Sequence, residues 1–144
     1  MRFEQSVFIL KPLPQVFAFV TCYDNDLVWL EPVLESAQIS TGDLEVGTRL
    51  RRITKWLGRK FITNAEIVEF VPYLKSCSRT TSGAIRQLES RYFEATANGT
   101  KLTVVLEGDF SNIFSLVDEV IERIMRRQLG TDLYTLKDFL EASN

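Results

Sequence analysis

The sequence predicts an α+β fold in which a curved, seven-stranded antiparallel sheet closes around one long C-terminal helix, with two short helices after the first strand. Turn signals recur through the middle of the chain at Thr41-Gly42-Asp43, Gly58, Pro72, Ser82-Gly83 and Asn98-Gly99, the last a strong two-residue hairpin signal. The segments between them are rich in Thr, Ile, Val, Phe and Tyr, as strands are. After Phe110 the apolar period changes from two to three and four, which is the helical spacing.

Taken in order, residues 2 to 10 (RFEQSVFIL) are β-branched and aromatic and make a first strand that Pro12 and Pro14 stop. Pro14 suits a first helical turn in which Val16, Phe17 and Val20 share a face. Asp24 or Asn25 caps a second short helix carrying Leu27, Val28 and Leu30 before Pro32 ends it. From about Val33 to Phe110 the chain reads as six strands in a hairpin-connected meander. Beyond it, Ile113, Phe114, Val117, Val120, Ile121, Ile124, Met125, Leu129, Leu133, Leu136 and Leu140 mark one face of a helix of roughly 30 residues, about 45 Å long, with Ser111 or Ser115 as its cap and a bend expected at Gly130. One helical stripe cannot fill the concave side of such a sheet. A gap, mostly apolar with a few polar groups, is therefore expected between them.

Composition narrows the chemistry. The 144 residues suffice for one domain spanning 1–144, and 45% apolar with 25% charged residues is ordinary for a soluble globule. A net charge of −2 leaves no excess of cations for a phosphate backbone, so nucleic acid is not an expected partner. The chain has no histidine, which removes Ser-His-Asp triads, Cys-His pairs and His-containing metal sites. Cys22 and Cys77 stand far apart, without metal or redox spacing, and read as two core or half-buried thiols in a reducing compartment. Arg79 lies two residues from Cys77 on one strand face, a placement that lowers a thiol pKa. The N-terminal segment is too polar and broken for a signal peptide, and no apolar run approaches the roughly 18 residues of a membrane span. The expectation is a cytoplasmic protein with neither metal nor cofactor.

The run VFAFVTCYDNDLVWLEPV, then VGTRLRRITKWLGRK, EIVEFVPY, and NGT followed by KLTVVLEG resembles the START-like superfamily, in its polyketide cyclase/dehydrase and lipid-transport branch. The resemblance rests on the order of Val16-Phe17 after a proline, Trp29 before Pro32, Gly47-Thr48, Gly58, Pro72 and Gly99-Thr100, and covers nearly the whole chain. It implies a helix-grip fold with an internal cavity for a hydrophobic small molecule. That superfamily spans carriers, receptors and cyclases, so the fold does not choose the activity.

Strand parity selects the candidate wall. In 44–57 the inner face reads Leu44, Val46, Thr48, Leu50, Arg52, Thr54 and Trp56, with Arg52 its one charge. Phe61, Thr63, Ala65 and Ile67 face inward on the next strand, as do Leu102, Val104 and Leu106 on the last. Strand 86–97 is ambiguous: hydrophobicity turns Leu88 and Tyr92 inward, whereas the family pattern turns Phe93 and Arg91 inward. The candidate ligand-binding set is Trp29, Leu50, Arg52, Trp56, Phe61, Thr63, Ile67, Tyr92, Leu102, Val104, Phe110, Phe114, Val117 and Ile121. Leu50, Phe61, Ile67, Leu102 and Val104 are equally explained by packing against the helix, and Trp29 and Trp56 read equally as rings that stack on a flat ligand or as loop or rim anchors. An inward Arg52 must be paired, with Glu94 or Glu107 as an internal partner or else a ligand anion.

No paired acid and base stands out for catalysis. This favours a carrier or sensor holding a lipid, isoprenoid, quinone or polyketide-like aromatic. The alternative is a polyketide cyclase/dehydrase that works by positioning its substrate; a third reading is a protein-interaction module.

Overall fold

Period-two alternation of apolar and polar residues builds one sheet from residues scattered along most of the chain. The structure, a computed structural model, describes residues 1–110 and 113–143. Its elements are β1 (Arg2–Ile9), α1 (Leu13–Val20), a 3₁₀ turn (Tyr23–Asn25), α2 (Asp26–Trp29), β2 (Val33–Gln38), β3 (Arg49–Trp56), β4 (Arg59–Val71), β5 (Lys75–Ser82), β6 (Arg86–Thr96), β7 (Gly99–Asp109) and α3 (Asp118–Glu141). The strands form a single antiparallel sheet in the order β1-β7-β6-β5-β4-β3-β2. β1 and β2 are opposite edges, so the segment between them, with its two short helices, runs from one side of the sheet to the other. Register shifts in β2 between Val33 and Glu35 and in β4 between Asn64 and Ala65 and between Ile67 and Glu69 are bulges, which bend and twist the sheet. This is the helix-grip architecture, α+β, as the sequence implies.

The turns show where glycine is required. β3 and β4 meet through Leu57-Gly58, both at positive φ (50° and 81°), the geometry that a two-residue hairpin favours. Gly99 acts differently from its expected part in an Asn-Gly turn. The two-residue loop is Ala97-Asn98, and Gly99 already pairs in β7, where a Cβ would lie 2.1 Å from the carbonyl oxygen of Ile9.

α1 buries Val16, Phe17 and Val20, as expected, and Phe17 meets Phe93 edge-on with ring centroids 4.9 Å apart. α2 departs from expectation: Leu27 and Val28 face outward, and Asp26 and Trp29 are buried instead. α3 is 24 residues, about 36 Å, and starts later than the apolar period suggests. Its N-cap is Val117, followed by Asp118 and Glu119, whose charges suit the helix N-terminus. Ser115 is not the cap, and Ser111 lies outside the described residues. Phe114 precedes the helix and packs edge-on against Phe61 at 5.8 Å, while Val117 is 63% exposed. Gly130 sits inside a continuous helix, facing the side chain of Gln5.

The ambiguity in 86–97 resolves toward the family pattern. Glu89, Arg91 and Phe93 are buried on the inner face, and Tyr92 is exposed on the outer face, paired with Lys75 and Thr103. Hydrophobicity misleads here because the strand carries two charges inward and a tyrosine outward. Among the described residues, no helix is long and apolar enough to cross a membrane.

Candidate functional site

Four charged side chains meet between the sheet and α2. Asp26 and Arg91 are fully buried. The Asp26 carboxylate accepts from Arg91 Nη1 and Nη2, both at 2.9 Å, and from Arg52 Nη2. Arg91 Nε donates to Glu89 Oε1 at 2.7 Å, its Nη1 also donates to the Val20 carbonyl at 2.9 Å, and Arg52 Nη1 reaches Glu89 Oε2 at 3.5 Å. The Arg91 guanidinium also lies over the rings of Tyr23 (4.4 Å) and Trp29 (5.3 Å). Two guanidinia and two carboxylates cancel, which is the condition under which buried charge is tolerated. Burial disfavours the Glu89 carboxylate, yet Arg91 and Arg52 outweigh it and hold the pKa below its ordinary value. Burial pushes the Tyr23 phenol up to about 12, and its hydroxyl shares a 2.7 Å hydrogen bond with Ser76. Arg52 does face inward, but its partners are Asp26 and Glu89. Glu94 is exposed and Glu107 pairs with Arg2 on the outer face.

Beside this cluster lies a cavity of about 70 Å³. Leu30, Val33, Trp56, Ile85, Leu106, Met125 and Leu129 make its apolar wall, and Arg52, Thr54, Thr63, Gln87, Glu89 and Asp132 supply polar groups. A second cavity of about 30 Å³, lined by Tyr23, Leu50, Arg52, Thr63 and Ala65 among others, lies against the same Arg52 and Thr63.

Asp132 is the group that sequence reasoning missed. It sits on α3 at 2% exposure, within the helix's buried stripe. Burial pushes its carboxyl up to about 6, against the opposing hydrogen bonds from Gln128 Nε2 (2.8 Å) and the Glu31 backbone. Among the described residues no cation pairs with it. A signal for it existed: an acid three residues after Leu129 and four before Leu136 falls inside the apolar stripe. Asp26 carried less warning, since a four-residue helix has no period to violate.

Of the expected site residues, Arg52, Trp56 and Thr63 line the main cavity, and Leu50 lines the smaller one. Trp56, Phe114 and Ile121 meet at a void of about 10 Å³. Phe61, Leu102, Val104 and Phe110 are buried in the main core, and Ile67 packs in a second cluster with Tyr23 and Leu50. Trp29 is 2% exposed beneath Arg91, so it is no rim residue. Tyr92 and Val117 are placed otherwise: one faces outward from β6, the other is exposed ahead of α3, and neither lines any of these three cavities. Cys22 is exposed rather than half-buried. Cys77 is buried, which pushes its thiol up rather than down, and Arg79 points to solvent. Among the described residues, no group of three His, Cys, Asp or Glu side chains is arranged to hold a metal ion.

The chain resembles several solved structures over nearly its full length. A protein from Thermus thermophilus matches at a TM-score of 0.81 and 15% identity, covering 99% of this chain and 100% of the other. A START superfamily protein from Mycobacterium smegmatis matches at 0.79 and 11% identity, covering 97% of each. The Zhui aromatase/cyclase from Streptomyces sp. R1128 matches at 0.78 and 13% identity, covering 98% of this chain and 93% of that one. No protein-family model and no curated protein sequence matches the chain. The fold is therefore the START-like helix-grip fold of these proteins, and at such identities the likeness speaks for fold alone.

Proposed function

We propose that this protein binds a hydrophobic small molecule in the cavity between the sheet and α3, as a carrier or sensor. The observation that supports this reading is the cavity itself: an apolar wall drawn from both sheet and helix, interrupted by a few polar groups, is the usual composition of a small-molecule site. At about 70 Å³ it is smaller than the roughly 150 Å³ of an engineered cavity that takes benzene. Even a single-ring ligand therefore requires movement of the half-buried Trp56 on its wall. A size-graded panel of fatty acids, isoprenoids, quinones and flavonoids, read by thermal shift, tests the proposal. A ligand at 100 times its Kd stabilises the fold by about 2.7 kcal/mol, worth roughly 9 °C for a chain of this length. A panel that leaves the midpoint unmoved argues against it.

A second reading, a polyketide cyclase/dehydrase, is favoured by Asp132. A carboxyl with a pKa of about 6, facing an apolar cavity without a paired cation, suits proton abstraction near neutrality. Accelerated cyclisation of a poly-β-ketone analogue that Asp132→Asn abolishes would favour this reading over a carrier.

A further inference from the structure

Resting on the reading of this cavity as a ligand site, we propose that it selects molecules presenting a neutral hydrogen-bond donor, a phenolic or enolic hydroxyl, to Asp132 and Thr54, and rejects carboxylates.

The polar groups on the wall fall into two classes. Arg52 and Glu89 are spent: their charges are matched within the cluster that includes Asp26 and Arg91. An anionic ligand would have to displace a carboxylate already bound to Arg52. Asp132 and Thr54 are different. Asp132 is an ionisable acceptor on α3 whose partners are one side-chain amide and one backbone amide, and a carboxylate has room for about four hydrogen bonds. Thr54, on β3, is 7% exposed, and its Oγ1 has no hydrogen-bond partner among the described residues. Both line the same cavity. A ligand hydroxyl donates its one proton to the carboxylate and accepts from the Thr54 hydroxyl, which gives both a partner. A ligand carboxylate meets net negative charge instead, since two arginines (Arg52, Arg91) face three carboxylates (Asp26, Glu89, Asp132) when all are ionised.

The proposal fixes a pH dependence. The charged and titratable groups around Asp132 are Glu31 ahead of β2, and Arg52 and Glu89 on the facing strands; on its own helix Gln128 does not titrate. Burial raises the Asp132 carboxyl, so it is the group that changes state just below neutrality. A hydroxyl donor bonds the ionised form best, and its affinity therefore rises between about pH 5 and 7.5.

The test uses three probes on one ethylbenzene frame, 4-ethylphenol, ethylbenzene and 4-ethylbenzoate, with 4-ethylbenzamide as the neutral match in size for the benzoate, titrated by calorimetry against the wild type, Asp132→Asn and Thr54→Val at about pH 5 and pH 7.5. At the higher pH the wild type is expected to bind the phenol about ten- to a hundredfold more tightly than ethylbenzene, the range of a charged hydrogen bond, and the benzoate more weakly than either. Asp132→Asn is expected to remove most of that preference and the pH dependence. Thr54→Val, which deletes an unpartnered hydroxyl without changing shape, is expected to reduce the preference severalfold. Ethylbenzene or benzoate binding as tightly as the phenol overturns the proposal and leaves the ligand-site reading standing. A phenol preference that persists in Asp132→Asn overturns it as well. If no probe binds at its solubility limit, this proposal falls, and the ligand-site reading stands or falls separately with the size-graded panel.

Discussion

Replacing Asp26 by Asn keeps the shape of a fully buried side chain and removes one charge from a cluster that sums to zero. In the wild type, Asp26 accepts three hydrogen bonds from two guanidinia, and among the described residues Glu89 is the other carboxylate in contact with them. In the Asp26→Asn variant, Arg52 and Arg91 face Glu89 alone, so one positive charge is left uncompensated in a place where Arg91 has no exposed surface. Breaking a buried pair in this way costs about 3–5 kcal/mol, a large share of the roughly 5–15 kcal/mol that holds a domain together. At roughly 2.1 cal/mol/K of unfolding entropy per residue, a 144-residue chain loses about 10–16 °C of Tm. Arg52 has 18% of its side chain exposed and relieves part of the strain by turning to water, which places the expected loss in the lower half of that range. Urea unfolding followed by circular dichroism gives the free energy, and an unchanged slope confirms that the denatured state is not the source. Adding Arg52→Met to Asp26→Asn restores neutrality and should return part of the lost stability. A loss under about 1 kcal/mol, or a double variant less stable than Asp26→Asn alone, would refute the charge-balance account.

Asp132→Asn is expected to stabilise the protein. The native carboxyl is raised to about 6 from an ordinary 3.8, so ionisation opposes folding increasingly across that interval and fully above it; the variant should gain up to about 3 kcal/mol at pH 7.5, and the gain should vanish as pH falls toward about 4. Glu89 has the opposite sign, since its depressed pKa stabilises above the ordinary carboxylate range and that stability is lost on further acidification; Glu89→Gln should flatten the acid limb of the stability curve. Gly99→Ala forces a methyl to 2.1 Å from the Ile9 carbonyl and should cost about 1–3 kcal/mol in denaturant, with strand β1 the first to lose hydrogen-exchange protection. A thiol reagent should titrate Cys22 in the native protein and reach Cys77 only on unfolding. Acrylamide should quench Trp56 and spare Trp29, and the two Trp→Phe variants assign the signals.

The sheet is legible in the sequence because its strands obey one rule that leaves its mark there: alternation against a single buried face, punctuated by turns. β3 illustrates this, where Leu50, Arg52 and Thr54 face inward as parity requires. The site is legible only in part, because its polar residues break the same rule. Glu89 and Arg91 face inward beside an outward Tyr92, so hydrophobicity assigns β6 to the wrong face. Asp26 pairs with residues 26 and 65 positions away, and nothing local announces a partner at that distance. The start of α3 is misplaced by periodicity because Ile113, Phe114 and Val117 continue the helical spacing by coincidence, whereas the chain begins its helix at Asp118, where acidic residues meet the helix N-terminus.

The distribution of unmet hydrogen-bonding capacity separates a ligand site from an imperfect core. Around Arg91 every charged group has its counterpart, and the unpartnered polar atom described there is the neutral Trp29 Nε1. Across the cavity the reverse holds: among the described residues Asp132 lacks a cation and the Thr54 hydroxyl lacks any partner, although both are almost wholly buried. A leucine at 132 and a valine at 54 would suit the stripe of α3 and the inner face of β3 better, since each would remove a desolvation cost of about 1–3 kcal/mol. Here two such costs converge on one apolar space, from the helix on one side and the sheet on the other, which is the arrangement expected if a bound molecule supplies what the protein leaves open.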